Sequence, residues 1–117
     1  MTAPNIAYLN NLTVKNAIQT VSTSGVSILT VPSGYSVRVN SLYFANINGN
    51  TNADIACYVD NGNEYGFITS GLIVPANASV VAIKKEHQIH LEENHSLYLK
   101  SSTSGDISAF LSYDLMS

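Results

Sequence analysis

The chain has 117 residues, of which 11% are charged, with a formal net charge of −3 and a single cysteine. An ordinary globular domain is about 25% charged, whereas roughly a third of this chain is Ser, Thr or Asn. One domain is expected, with no intrachain disulfide and no basic footprint for nucleic acid. No apolar run approaches the ~20 residues of a membrane-spanning helix.

Residues 1–11 lack clear alternation and read as an N-terminal arm, and residues 12–117 as one domain. Nothing before Lys15 forms a continuous apolar stretch, so no signal peptide is expected. In Thr13–Val21, Val14, Ala17, Ile18 and Val21 fall at helical spacing. The β-branched content and the neighbouring Ser and Thr favour strand. Further strands are expected over Val26–Val31 and from Ser36, where Val37 and Val39 alternate with polar residues. Leu42 and Phe44 have the opposite parity, which predicts a bulge near Ser41. Ala53–Asp60, Glu64–Val74, Ser79–Lys84, Gln88–Leu91 and Ser96–Ser101 follow. In the last strand Ile107, Ala109, Leu111, Tyr113 and Leu115 share one face, and Phe110 is the only bulky residue on the other.

Turn residues separate these runs. Asn61-Gly62 is expected at a type I′ hairpin turn, since both residues tolerate positive φ. Val31-Pro32-Ser33-Gly34 and Val74-Pro75-Ala76-Asn77 put proline at the second position of type I turns. Ser104-Gly105-Asp106 reads as the tip of a last hairpin. Eight or nine short strands predict an all-β, antiparallel β-sandwich of jelly-roll or immunoglobulin-like type. Its edge strands need occupation by a neighbour, because few lysines protect them.

Candidate chemistry is sparse. His87, His90 and His95 lie close in sequence, but His87 and His90 on a strand point to opposite faces, so solvated turn residues around Glu92-Glu93-Asn94 are expected rather than a zinc site. Asn46, Asn48, Asn50, Asn52 and Asp54 recur at every second position, the pattern of an Asn-rich loop or of a polar ladder for sugar or calcium. Asp60-Asn61-Gly62-Asn63-Glu64 has glycine where a calcium loop needs an oxygen ligand. No nucleophile elbow, phosphate loop or dinucleotide fingerprint occurs. Cys57 alternates with Ile55 and Val59 and reads as a buried small hydrophobe. No catalytic residue, metal or cofactor is therefore expected. Tyr43, Tyr58, Tyr98 and Tyr113 lie inside strand patterns, where core or interface packing is the default.

Five segments fall in a familiar order: Met1-Thr2-Ala3-Pro4-Asn5-Ile6; Val39 through Gly49; Val74-Pro75-Ala76-Asn77-Ala78; Ile89 through Leu97; and Gly105-Asp106-Ile107 through Ser112-Tyr113-Asp114. Together they resemble small virion structural proteins of tailed bacteriophages, especially marine phages and cyanophages. The resemblance spans nearly the whole chain through turn and strand features. It implies a β-sandwich that decorates or cements the head shell, or forms part of the tail, with no catalytic or metal residues. The histidines and Lys15–Val26 depart from the pattern.

The leading expectation is a capsid decoration or cement protein, made in a host cytoplasm and located on the virion head surface. Its partners are the major capsid protein and copies of itself, a trimer being the working oligomer. Thr2, Pro4, Asn5 and Ile6 of the arm are the expected contact residues. The alternative is a tail or tail-fibre component that touches host-surface glycans through Tyr35, Tyr65 and the Asn46–Asp54 loop. Neither nucleic acid nor membrane is an expected partner.

Overall fold

A computed structural model describes residues 12–117 except 85, 87 and 104. Nine strands account for nearly all regular structure: β1 (Leu12–Thr20), β2 (Val26–Thr30), β3 (Ser36–Asn46), β4 (Ala53–Asp60), β5 (Tyr65–Val74), β6 (Ser79–Ile83), β7 (Ile89–Leu91), β8 (Ser96–Ser101) and β9 (Ile107–Met116). The Thr13–Val21 segment is strand rather than helix, as its β-branched residues predict.

The strands form two antiparallel sheets. Sheet A has the order β1-β9-β3-β6, with β7 also on β3; sheet B has the order β2-β8-β4-β5. The pairings β1–β9, β2–β8, β3–β6/β7 and β4–β5 are nested, the last being the central hairpin. That is one long hairpin rolled into two sheets, which makes the sandwich a jelly roll rather than an immunoglobulin-like domain. The last hairpin of the sequence reading is therefore absent, because β8 ends in sheet B and β9 begins in sheet A. Glycine marks the turn but not the sheet that the next strand joins.

Alternation fills the space between the sheets. Val37, Val39, Leu42 and Phe44 of β3, Ile55 and Cys57 of β4, Leu97 and Leu99 of β8, and Ile107, Ala109 and Leu111 of β9 form one buried cluster. The change of parity in β3 is resolved as expected, by a register shift against β9 between Val39 and Ser41. Burial in this cluster pushes the Cys57 thiol up from 9.0 to about 12, in line with its reading as a small hydrophobe.

Three turns differ from expectation for one reason. The amides of Gly34 and Asn77 are drawn away, to Glu93 Oε2 at 2.7 Å and to the Asn48 carbonyl at 3.1 Å. The turn bonds therefore form one residue later, from Tyr35 N to Pro32 O and from Ala78 N to Pro75 O. Proline is then the first residue, and Gly34 (φ 85°) and Asn77 (φ 57°) supply the positive φ of a type II third position. Between β4 and β5 the loop is four residues rather than a two-residue type I′ turn, closed by Asn61 N to Glu64 O at 3.2 Å. Asn61 Oδ1 accepts from the amides of Asn63 and Glu64, and Asp60 Oδ1 from Gly62, so side chains do the work of the turn.

Candidate functional site

With the core inside, the outward faces of the two sheets remain, and both carry apolar side chains in rows that run across the strands. On sheet A the registers Ile18↔Phe110, Phe110↔Tyr43 and Tyr43↔Val81 align one residue from each of β1, β9, β3 and β6. Tyr43 and Phe110 stack with centroids 5.3 Å apart at 23°. Ile18 is 72% exposed, and Tyr43 and Val81 are also exposed. The bulge in β3 makes the row: it turns Leu42 and Phe44 inward and Tyr43 outward. The neighbouring rows are Asn16–Ser112–Ser41 and Thr20–Ser108–Ala45–Ser79, so an apolar strip lies between uncharged small residues.

Beyond that strip lies a depression of about 430 Å³ lined by Val14, Arg38, Asn40, Gln88 and Asp114. Arg38 holds the buried Asp114 carboxylate through Nε at 3.0 Å and Nη2 at 2.5 Å. This is the single ion pair among the described residues. The two charges at this depression thus neutralise each other, and the rows beside the apolar strip add none that contact with a partner would have to desolvate.

On sheet B the row is Ser27–Tyr98–Tyr58–Phe67, with Tyr65 two residues from Phe67 on β5. Tyr58 sits at the centre. It stacks on Tyr98 at 5.4 Å and 7°, and meets Phe67 and Tyr65 at 5.3 Å and 5.5 Å with tilts of 55° and 54°. Its hydroxyl lies so near Gly25 that a Cβ there would sit 3.4 Å away. Burial, the Tyr98 and Tyr65 phenols and Asp60 all push the Tyr58 hydroxyl above its ordinary pKa. Tyr65 is 64% and Phe67 59% exposed.

The sequence-derived candidates distribute as follows. Thr2, Pro4, Asn5 and Ile6 lie outside the described residues, as does His87. His90 pairs with Arg38 on β3, and His95 belongs to the Glu92–His95 turn, where its Nδ1 lies 3.4 Å from the Glu92 amide. Among the described residues no three His, Cys, Asp or Glu side chains converge to hold a metal. Glu93 ties the β7–β8 turn to the β2–β3 turn through Gly34.

The three glycan candidates do not meet. Tyr35 precedes β3 and Tyr65 opens β5, at one end of the sandwich, and the Asn46–Asp54 segment links the end of β3 to β4 at the other. In that loop the amides serve the backbone. Asn46 Nδ2 donates to the carbonyls of Thr51 and Val74, its Oδ1 accepts from Asn48 N, and Asn48 Oδ1 accepts from the amides of Asn50 and Thr51. Asn46 and Asn48 thus use their side chains to build the loop. The apolar rows were not identified from sequence; the signal available was Phe110, the one bulky residue on a polar face.

No family model matches the chain, and no curated protein sequence matches it. Among solved structures, it is similar to one reported under Bacillus endospore appendages, a novel family of disulfide-linked pili. That likeness has a TM-score of 0.53 at 9% identity and covers 92% of this chain and 87% of the other. It supports the fold alone. Fainter likenesses are to a pentameric capsid protein from metagenomic phage sequences (TM-score 0.39, 14% identity, 86% of this chain and 59% of that one) and to the CBM22-1 xylan-binding domain of Paenibacillus barcinonensis Xyn10C (TM-score 0.36, 12% identity, 92% and 81%).

Proposed function

We propose that this chain is a virion structural protein of a tailed bacteriophage that decorates or cements the outer head shell, with the major capsid protein and its own copies as partners. The observation that carries the reading is the pair of outward apolar rows, Ile18–Phe110–Tyr43–Val81 set between hydroxyls and amides, and Tyr98–Tyr58–Phe67 flanked by the Ala56–Lys100 and Asp60–Ser96 pairs. Both rows gain from burial, and the sheet A row has few charges beside it to desolvate. A two-faced slab joins neighbours on both sides. Specific contacts bury about 1,600 Å² in total, and symmetry repeats the gain over many copies. The resemblance to phage virion proteins supports a particle as the setting for that slab.

The test is a phage lacking the protein. Its heads are expected to release DNA at lower temperature and to lose outer-shell density; unchanged heat stability with unchanged density rejects the reading. Removing residues 1–9 is expected to abolish attachment while the sandwich stays folded.

A second reading, a tail component that contacts host glycans, draws on one observation. The exposed Tyr65 lines a depression of about 280 Å³ with Asn61, Glu64 and His95, an aromatic ring beside polar groups. Saturable binding on a glycan array favours it, and no binding favours the cement role. An enzymatic role is not part of either proposal.

A further inference from the structure

The two sheets have four edges, and three are blunted. β2 has five residues and a bulge at Ser27–Leu29; β5 is bulged twice against β4; the far edge of sheet A is split between β6 and β7. The fourth edge, β1, is different. It pairs with β9 over nine residues without a register shift, contains no proline, and carries one charge, Lys15. It has almost none of the devices that stop a strand edge from pairing.

The direction of its free groups follows from one bond. Val21 N donates to Ile107 O at 2.9 Å, continuing the β1–β9 register, so odd-numbered residues face β9. Even-numbered residues, Leu12 to Thr20, turn their N–H and C=O groups to the open edge. Among the described residues only one of these groups has a partner: the Thr20 carbonyl accepts from its own neighbour, Gln19 Nε2, at 3.2 Å.

The strand Leu-Thr-Val-Lys-Asn-Ala-Ile-Gln-Thr is close to a palindrome in character about Asn16. Folded against itself antiparallel, Val14 meets Ile18, Thr13 meets Gln19, Leu12 meets Thr20, and Asn16 meets Asn16. Lys15 meets Ala17, so the one charge does not face its own copy. Centring the pair on Lys15 instead would set two ammonium groups opposite each other. Val14 and Ile18 are 66% and 72% exposed and unburied by anything described.

We infer that β1 pairs with β1 of a second copy of this chain, antiparallel about a two-fold axis at Asn16, which joins the two A sheets into one. The register makes about ten inter-strand hydrogen bonds and continues the row Val81–Tyr43–Phe110–Ile18 to Val14 of the second copy. The contact is isologous and uses each copy's one regular edge, so it closes as a dimer and does not propagate. A dimer thus replaces the trimer as the expected unit. The inference is independent of the virion reading, since it concerns the isolated protein.

The test uses purified full-length protein. Sedimentation equilibrium is expected to give twice the 12.5 kDa chain mass. Ile18→Lys is expected to give a monomer with an unchanged circular dichroism spectrum. Asn16→Cys, with its Cα roughly 5.5 Å from its copy and within disulfide reach, is expected to cross-link on mild oxidation. Thr20→Cys, about 27 Å from its copy, is not; buried Cys57 does not interfere. The inference is overturned if the wild type is a monomer at its highest soluble concentration. It is equally overturned if Thr20→Cys links as readily as Asn16→Cys, or if dimers appear only after residues 1–11 are removed, which would make the chain's own arm the occupant.

Discussion

Changing Asn46 to Asp tests whether the Asn-rich loop is scaffold or ligand site. Asn46 is 3% exposed at the end of β3. Its Nδ2 donates to Thr51 O at 2.9 Å and Val74 O at 3.1 Å, and the Val74 bond is fully buried. Aspartate keeps the shape but turns this donor into an acceptor that faces two carbonyls. Two neutral hydrogen bonds contribute about 1 kcal/mol each, and a buried carbonyl left unsatisfied costs about 1–3 kcal/mol. A loss near 3 kcal/mol follows, before any cost of the buried charge. For a domain of this size that lowers the Tm by roughly 12 °C, at about 4 °C per kcal/mol. Asn50→Asp, at an exposed position, is expected to shift the Tm by less than about 2 °C. Thermal melts by circular dichroism read both. Equal, small shifts would refute the scaffold reading and reopen the polar ladder as a binding surface.

Three other outcomes follow from the packing. Phe44→Ala removes a fully buried ring of β3 and is expected to cost about 3–5 kcal/mol in urea unfolding, enough to unfold a marginal domain. Tyr43→Ala with Phe110→Ala loses about 1 kcal/mol of stacking and some exposed contact, so the protein stays folded; particle binding, measured by co-sedimentation, is expected to fall sharply. Cys57 has its folded pKa raised to about 12, so the neutral thiol binds its proton more tightly in the folded state. Its contribution is whole below pH 9 and is lost as pH rises from about 9 towards 12. Wild type is thus expected to lose more stability than Cys57→Ala between pH 8 and about 10.5 in parallel urea titrations.

Strand positions were legible wherever burial alternates: Ala53–Asp60 and Ser96–Ser101 are bounded as the pattern implies, and the bulge near Ser41 showed as a change of parity. Turns were less so. Whether Pro32 stands first or second depends on which acceptor takes the Gly34 amide, and that acceptor, Glu93, lies 59 residues away. The contact rows were hidden for the same reason. Ile18, Phe110, Tyr43 and Val81 become neighbours only through the registers of β1, β9, β3 and β6, and no local pattern encodes those. Tyr58 read as a strand residue with a default role in packing; its place among Tyr98, Phe67 and Tyr65 required the shifted β4–β5 register.

The central claim is that this sandwich works by lying against neighbours through the apolar rows on its sheet faces. A cryo-EM difference map between phage particles with and without the protein tests it most directly. The account predicts added density on the outer head surface, with the Tyr43–Phe110 face or the Tyr58–Phe67 face turned toward an adjoining subunit. Identical particles, or density in which both faces look into solvent, would contradict it.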